Sequence, residues 1–314
     1  MKNLDKAIQR IEDYLQAGVF PSAEVMLCSE DDETQHFLFG QASILPEVTA
    51  LKAGMHWDLA SVTKVVGTGA VMIDLLLDGR IGLDYPLADY YPDFIHKDIT
   101  IRQFLTHTTG LDPFIPGRDS MDAEGLIDAM CHLKLRENND FLYSDVNFIL
   151  LGLMLEKRLR LPLDEIFTAQ FAKMGMNETS FGPVENAVPT WHDLPAGIVH
   201  DPKARVLGPH CGSAGLFSTV ADLVKIVRYY FSDDRYLKLL KNYSGQERRR
   251  SLAWDLLEGD WLLHTGYTGT FILMHLPSKQ AVIFMSNRVH LKDERAVWIE
   301  ERNRLIEDFI EALA

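Results

Sequence analysis

Strand-like runs occur at the two ends of this chain, with helical patterns between them, and that distribution constrains the fold more than any other feature. Near the N-terminus, AEVMLCSE (23–30) and TQHFLFGQA (34–42) read as two strands around an acidic turn at 31–33. In the last quarter the strand patterns return as WLLHTG (261–266), TFILMHLP (270–277) and AVIFMSNRV (281–289). Pro277-Ser278-Lys279 supplies the tight connection between the last two. From about 83 to 205 the texture is helical and broken by Pro- and Gly-containing loops. DAEGLIDAMCHLKL (122–135), SDVNFILLGLMLEKRL (144–159) and PLDEIFTAQFAKMGM (162–176) are the clearest helices, with Ser144 placed to cap the second. ADLVKIVRYYF (221–231) is a further one.

Both termini are amphipathic. Leu4, Ile8, Ile11 and Leu15 fall on one helical stripe, and so do Leu305, Ile306, Phe309, Ile310 and Leu313. The expected class is α+β, with one antiparallel sheet assembled from both termini and flanked by helices, and an all-helical domain inserted in the middle. The corresponding boundaries are 1–82 with 206–314 for the sheet domain and 83–205 for the insert. At 314 residues and 47% hydrophobic content the chain has material for a sizeable core.

Charge removes several classes of partner. A formal net charge of -14 repels phosphate backbones and anionic membrane surfaces, so no nucleic-acid or membrane partner is expected. The one basic cluster, Arg248-Arg249-Arg250, follows Glu247 and reads as a solvated loop. Cys28, Cys131 and Cys211 lie far apart, form no CxxC pair and are odd in number, which argues against a disulfide framework. The charged N-terminus lacks the apolar core of a signal peptide, and no run of about 18 uncharged apolar residues is present. A cytoplasmic location follows as an expectation.

Chemistry enters with a lysine in the wrong company. Leu59 to Ile73 reads LASVTKVVGTGAVMI, and Lys64 is its only ionisable group. Burying such a lysine is costly unless something uses it or its head reaches water. A helix is expected from near Ser61 to about Leu77, closed by Asp78-Gly79. Lys64 then sits one turn after Ser61 on the same face. A serine at a helix N-terminus meets the positive end of the macrodipole, and a lysine one turn on can exchange a proton with its hydroxyl. Desolvation by the surrounding Val and Met side chains is expected to lower the lysine pKa. With 14 serines and 14 lysines, chance supplies roughly 0.6 such pairs, so the spacing alone decides little. Two other stretches are as unremarkable singly: LYSDVNFILLG (142–152), which puts Tyr143 just before a helix, and LLHTGYTGT (262–270), which leads a strand into a turn.

In this order the three motifs resemble those of the serine β-lactamase and penicillin-binding-protein superfamily, closest to the branch holding class C β-lactamases, D-aminopeptidases and related esterases. ITIRQFLTHTTGL (99–111), KMGMNETSF (173–181), GIVHDPKARVLG (197–208) and GSAGLFSTVADL (212–223) resemble further blocks of that branch, so the likeness covers the chain from about residue 20 onward. The resemblance implies that Ser61 forms an acyl-enzyme. It implies that Lys64 and Tyr143 share proton transfer, that Tyr143 activates the hydrolytic water, and that the backbone N–H groups of Ser61 and Tyr267 form the oxyanion hole. Asp145, His264, Thr265 and Gly266 complete the implied substrate-binding set. GxSxG, HExxH, Walker and GxGxxG motifs are absent, and the 11 histidines never take a paired metal-ligand spacing, so neither metal nor cofactor is expected. His107, in THTTG, reads as structural.

Two departures bear on substrate. Tyr-x-Asn is usual in the second motif, and here it is Tyr143-Ser144-Asp145. An ionised aspartate only accepts hydrogen bonds, and it would hold Lys64 protonated, leaving more of the base role to Tyr143. Asn147 can replace the missing amide only if the turn is displaced. The third motif often begins with lysine, and here it begins with His264, mostly neutral at pH 7. Both changes are expected to make the site less cationic. The first expectation is therefore a serine hydrolase of small esters or amides. A β-lactamase or D-amino-acid peptidase is the alternative within the same chemistry, and a catalytically silent binder on the same scaffold is the second alternative. A small-molecule ester, amide or lactam is the expected partner. The loops at 112–125 and 186–211 are expected to frame the pocket.

Overall fold

Strands with one wet face alternate polar and apolar residues, whereas strands covered on both faces sort their side chains into two cores. The central strands here are of the second kind. A computed structural model describes residues 4–29 and 34–313; the acidic turn expected at 31–33 lies outside the described residues. Its strands are β1 (Ser22–Cys28), β2 (Thr34–Ser43), β3 (Thr49–Ala50), β4 (Trp57–Asp58), β5 (Ser180–Phe181), β6 (Leu216–Ser218), β7 (Asp255–Leu256), β8 (Trp261–Thr265), β9 (Phe271–His275) and β10 (Gln280–Ser286). Its helices are α1 (Leu4–Gln16), α2 (Gly69–Leu77), α3 (Ile101–Thr106), α4 (Ala123–Cys131), α5 (Asp145–Leu159), α6 (Leu163–Met174), α7 (Pro202–Leu207), α8 (Val220–Phe231) and α9 (Arg295–Leu313).

Seven strands form an antiparallel sheet in the order β3-β2-β1-β10-β9-β8-β7. N-terminal β1 thus pairs directly with C-terminal β10, placing Val25 opposite Phe284. Val25, Leu27, Leu273 and Phe284 face one core, while Met26, Ile272, Ile283 and Met285 face the other. This is the period of two expected of strands, and a slip of one residue would exchange the faces.

The first core is covered by α1 and α9, whose Lys6, Arg10 and Asp308 pair across the helices. α9 buries Trp298, Leu305, Ile306 and Phe309. α1 buries Ile11 of the expected Leu4-Ile8-Ile11-Leu15 line, with Leu4 and Leu15 packed partly buried against the same core, and widens that stripe with buried Ala7 and Tyr14. The second core is larger. It runs without a break from Met26 and Ile272 of the sheet through Met72 of α2 to Phe148 of α5.

The helix expected from Ser61 is wound in three ways. Residues 60–62 form a 3-10 turn, 64–68 a π turn, and 69–77 the α-helix proper. The π turn presses Gly67 onto Phe167, where a Cβ would come within 2.5 Å of the ring. Gly79, at φ 69°, ends the helix as its sequence indicates. By length and composition Ala60–Leu77 could cross a membrane, but 83% of it is buried inside the molecule. Finally, β4, β6 and β5 form a small second sheet that anchors the approach to Ser61.

Candidate active site

The backbone around Ser61 is fixed from both sides. Leu59 N donates to Leu216 O at 3.0 Å, and Leu216 N donates to Thr63 Oγ1 at 3.2 Å. Between them Ala60 adopts φ 46°, a left-handed conformation that costs energy for a residue with a Cβ. Asp58 holds it there. One carboxylate oxygen accepts from Ala60 N and the other from His200 N, both at 2.8 Å. Burial pushes the Asp58 carboxyl up to about 6, against the two N–H donors that favour its charge.

Lys64 is fully buried. Its Nζ donates to Ser61 Oγ at 2.8 Å, to Asp145 Oδ1 at 2.8 Å and to Ser213 O at 3.1 Å, which uses all three of its protons. Burial alone would lower its pKa, as the sequence led us to expect. Asp145 and Tyr143 more than reverse that effect and raise it, so the lysine is held as an ammonium. Burial likewise opposes ionisation of Asp145, but Lys64 and Lys203 hold its carboxyl well below the usual carboxylate range. Asp145 therefore does what its charge predicts, and the expected lowering of the lysine pKa is corrected.

Tyr143 precedes α5 in an extended segment. Its neighbour Ser144 caps that helix, accepting from Val146 N. The Tyr143 ring is 40% exposed to the cleft and lies 5.0 Å from Lys64 Nζ. Behind it stands buried His107, ring centroids 4.6 Å apart, whose Nδ1 accepts from Ser144 N and Asn147 Nδ2. His107 thus supports the tyrosine, consistent with a structural role. Asn147 is fully buried and also accepts from Thr109 Oγ1, so it is turned away from the cleft and does not replace the missing amide.

The third motif arrives on β8. Gly266 packs so closely that a Cβ would lie 2.8 Å from Leu59 O and 2.1 Å from Thr270 Oγ1. Thr268 and Thr270 hydroxyls donate to Asp58 O and Leu59 O at 3.0 and 3.2 Å, stitching the β8–β9 turn onto the turn that carries Ser61. Tyr267 is thereby brought to the cleft beside Ser61. Its ring stacks on His200 and lies under Arg288, and its hydroxyl donates to Asp293. His264 is buried near Tyr143 and Trp254. Burial, then Lys64 and Arg250, push its pKa down to about 3, so it is neutral.

Together these groups line a cleft of about 1090 Å³, framed by Pro113, Ile115 and Arg118 from one expected loop and His200–Lys203 from the other. All eight residues singled out from the sequence (Ser61, Lys64, Tyr143, Asp145, His264, Thr265, Gly266 and Tyr267) lie in or directly beneath it.

A family model described as Beta-lactamase matches residues 7–305. The chain belongs to the β-lactamase family. A putative D-alanyl-D-alanine carboxypeptidase of Salmonella agona is 22% identical over 89% of this chain and 81% of its own length. Among solved structures, a β-lactamase/D-alanine carboxypeptidase from Pseudomonas syringae superposes with a TM-score of 0.78 at 16% identity, covering 99% of each chain. A hydrolase with promiscuous acyltransferase activity, EstCE1, gives 0.78 at 17% identity, covering 97% of this chain and 98% of its own. The fold is the β-lactamase/transpeptidase-like α+β fold.

Within that family fold, two expectations need qualifying. His264 is neutral and Asp145 is ionised, so these two positions are less cationic as expected, but the cleft draws positive charge from elsewhere. Lys203 and Arg302 reach into it, and Arg118, Arg248, Arg288 and Arg295 line it. The arginine triplet is a solvated loop only in part: the side chains of Arg248 and Arg249 are exposed, whereas Arg250 is buried and pairs with Asp255, as Arg248 also does. Sequence reading also missed Asp58, Lys203 and Arg302. Arg302 carried a signal, since it falls four residues after Trp298 and three before Leu305 on the buried stripe of α9, where a cation is out of place. Lys203 carried only its place in the HDPKAR segment.

Proposed function

We propose that the protein is a serine hydrolase that cleaves small ester or amide substrates through an acyl-enzyme. The observation that carries this reading is the convergence of Ser61 Oγ, the Lys64 ammonium, the Tyr143 phenol and the end of β8 at one cleft. Because Lys64 donates to Ser61 Oγ, it stabilises a developing alkoxide and does not remove the proton. Tyr143, whose ring stands 5.0 Å from the ammonium, acts as the general base and its side-chain oxygen accepts that proton as Oγ attacks the carbonyl. Tyr143 then gives it to the leaving group. In deacylation Tyr143 takes a proton from water, hydroxide attacks the ester, and the proton returns to Ser61. Ser61 N and Tyr267 N are the donors to the oxyanion in this reading.

A second reading has its own observation. Arg302 Nη1 donates to Thr265 Oγ1 at 3.1 Å, placing a guanidinium beside the third motif where His264 offers no charge. That arrangement suits a substrate carboxylate and agrees with the carboxypeptidase names of the relatives. Turnover of p-nitrophenyl butyrate, nitrocefin and a D-alanyl-D-alanine peptide by wild type and Ser61→Ala separates the two. We expect the highest kcat/KM on the ester, abolished in Ser61→Ala. A higher kcat/KM on the lactam or the peptide would replace the first reading with the second.

A further inference from the structure

The charge chain does not stop at Asp145. Its second oxygen, Oδ2, lies 3.0 Å from Lys203 Nζ, and Lys203 continues to Asp201 Oδ2 at 3.1 Å. The order is Lys64, Asp145, Lys203, Asp201, four alternating charges that sum formally to zero. Asp201 is itself fixed, because its Oδ1 accepts from Ala204 N at 2.9 Å as the cap of α7. The Lys203 side chain is only 14% exposed and lines the cleft.

We infer that Lys203 is a positioning residue for Ser61 acylation: it clamps the second oxygen of Asp145 and supplies the positive charge that offsets that carboxylate beside Lys64 and Ser61. The inference rests on the acyl-enzyme reading above. Its logic is electrostatic. A carboxylate touching one ammonium raises the proton affinity of that site strongly, whereas a carboxylate shared between two ammoniums does so less. Clamping matters as well, since a carboxylate held at one oxygen can swing and release Lys64 from its bond to Ser61. The other groups facing Lys64 are Tyr143 and, at longer range, His107 and His264; Arg250 acts on both histidines. Those facing Lys203 are Asp145 and Asp201. Both histidines are pushed towards the neutral form by burial, so Lys203 is the second cation in direct contact with Asp145 among the described residues.

The test is the pH dependence of the second-order rate of labelling by a fluorophosphonate. It compares wild type, Lys203→Met, Lys203→Arg, Asp145→Asn and the Lys203→Met/Asp145→Asn double variant, each checked for a wild-type far-UV spectrum. Lys203→Met is expected to move the acidic limb to higher pH by about one unit and to slow labelling at neutral pH about tenfold, on the scale of one charge at this separation in a partly screened site. Lys203→Arg restores the limb. In the Asp145→Asn background Lys203→Met is expected to move the limb by clearly less, because only the direct charge of Lys203 is then lost and no clamped carboxylate is released. A folded Lys203→Met whose limb stays in place, or a shift just as large without Asp145, overturns the inference and leaves the acyl-enzyme reading standing. Absence of labelling in wild type overturns both.

Discussion

A single side chain, Asp58, shows how the site draws on the stability of the fold. Its carboxylate is buried and spends both oxygens on the amides of Ala60 and His200, so it couples the strained residue before Ser61 to the loop that carries Lys203. Unfolded, the group titrates near 3.8; folded, it is raised to about 6. Between those values the folded protein binds a proton that the unfolded chain does not. Stability from this group is therefore gained as pH falls through 6, and the cost of keeping it ionised is present in full above 6. Asp58→Asn should abolish that dependence. Relative to wild type, the melting temperature of the variant is expected to be more favourable at about pH 7.5 than at about pH 5. Equal differences at the two values would show that Asp58 does not titrate in this window. None of this was legible in the sequence, where Asp58 is an ordinary residue at the end of a strand. Ser61, Lys64 and Tyr143 were legible, because a lysine in an apolar run and two flanking motifs form an ordered set that few sequences share.

At the scale of elements, the decisive contact is between the end of β8 and the turn before Ser61. Gly266 permits it, since any side chain there would strike Leu59 O. Gly266→Ala should push the β8–β9 turn outward, break the Thr270 bond to Leu59 O, and carry the Tyr267 amide away from Ser61. The expected result is a loss in kcat of about 10²–10³-fold, the typical loss of one oxyanion donor, with the far-UV spectrum retained. A kcat within a few-fold of wild type would show that Tyr267 N contributes little. Strand and helix positions were readable from period and capping. The π turn at 64–68 was not, because the apolar run continues through it unchanged and Phe167, against which Gly67 packs there, is distant in the chain. The widened stripe of α1 has a long-range origin, since Ala7 and Tyr14 gain burial from α9 and the sheet.

For the molecule as a whole, the sheet joins the two ends of the chain, and the helices between them place α5 against the turn that carries Ser61. A division at 83 and 206, with the helical segment as a separate insert, was our expectation from texture. The larger buried cluster is continuous from β1 and β9 to α5, which ties the two regions energetically. The pattern of strands at both ends was enough to read the sheet. The charge of the cleft was not readable, because Lys203, Arg248, Arg288 and Arg302 come together from four distant parts of the chain. The same long-range assembly is the central claim about function, and it has a direct test. Intact-mass and peptide mapping of the protein after incubation with a fluorophosphonate should show one covalent adduct, on the peptide containing Ser61, lost in Ser61→Ala and strongly slowed in Lys64→Ala. An adduct on another residue, or a folded wild-type protein that takes up none, would contradict the account.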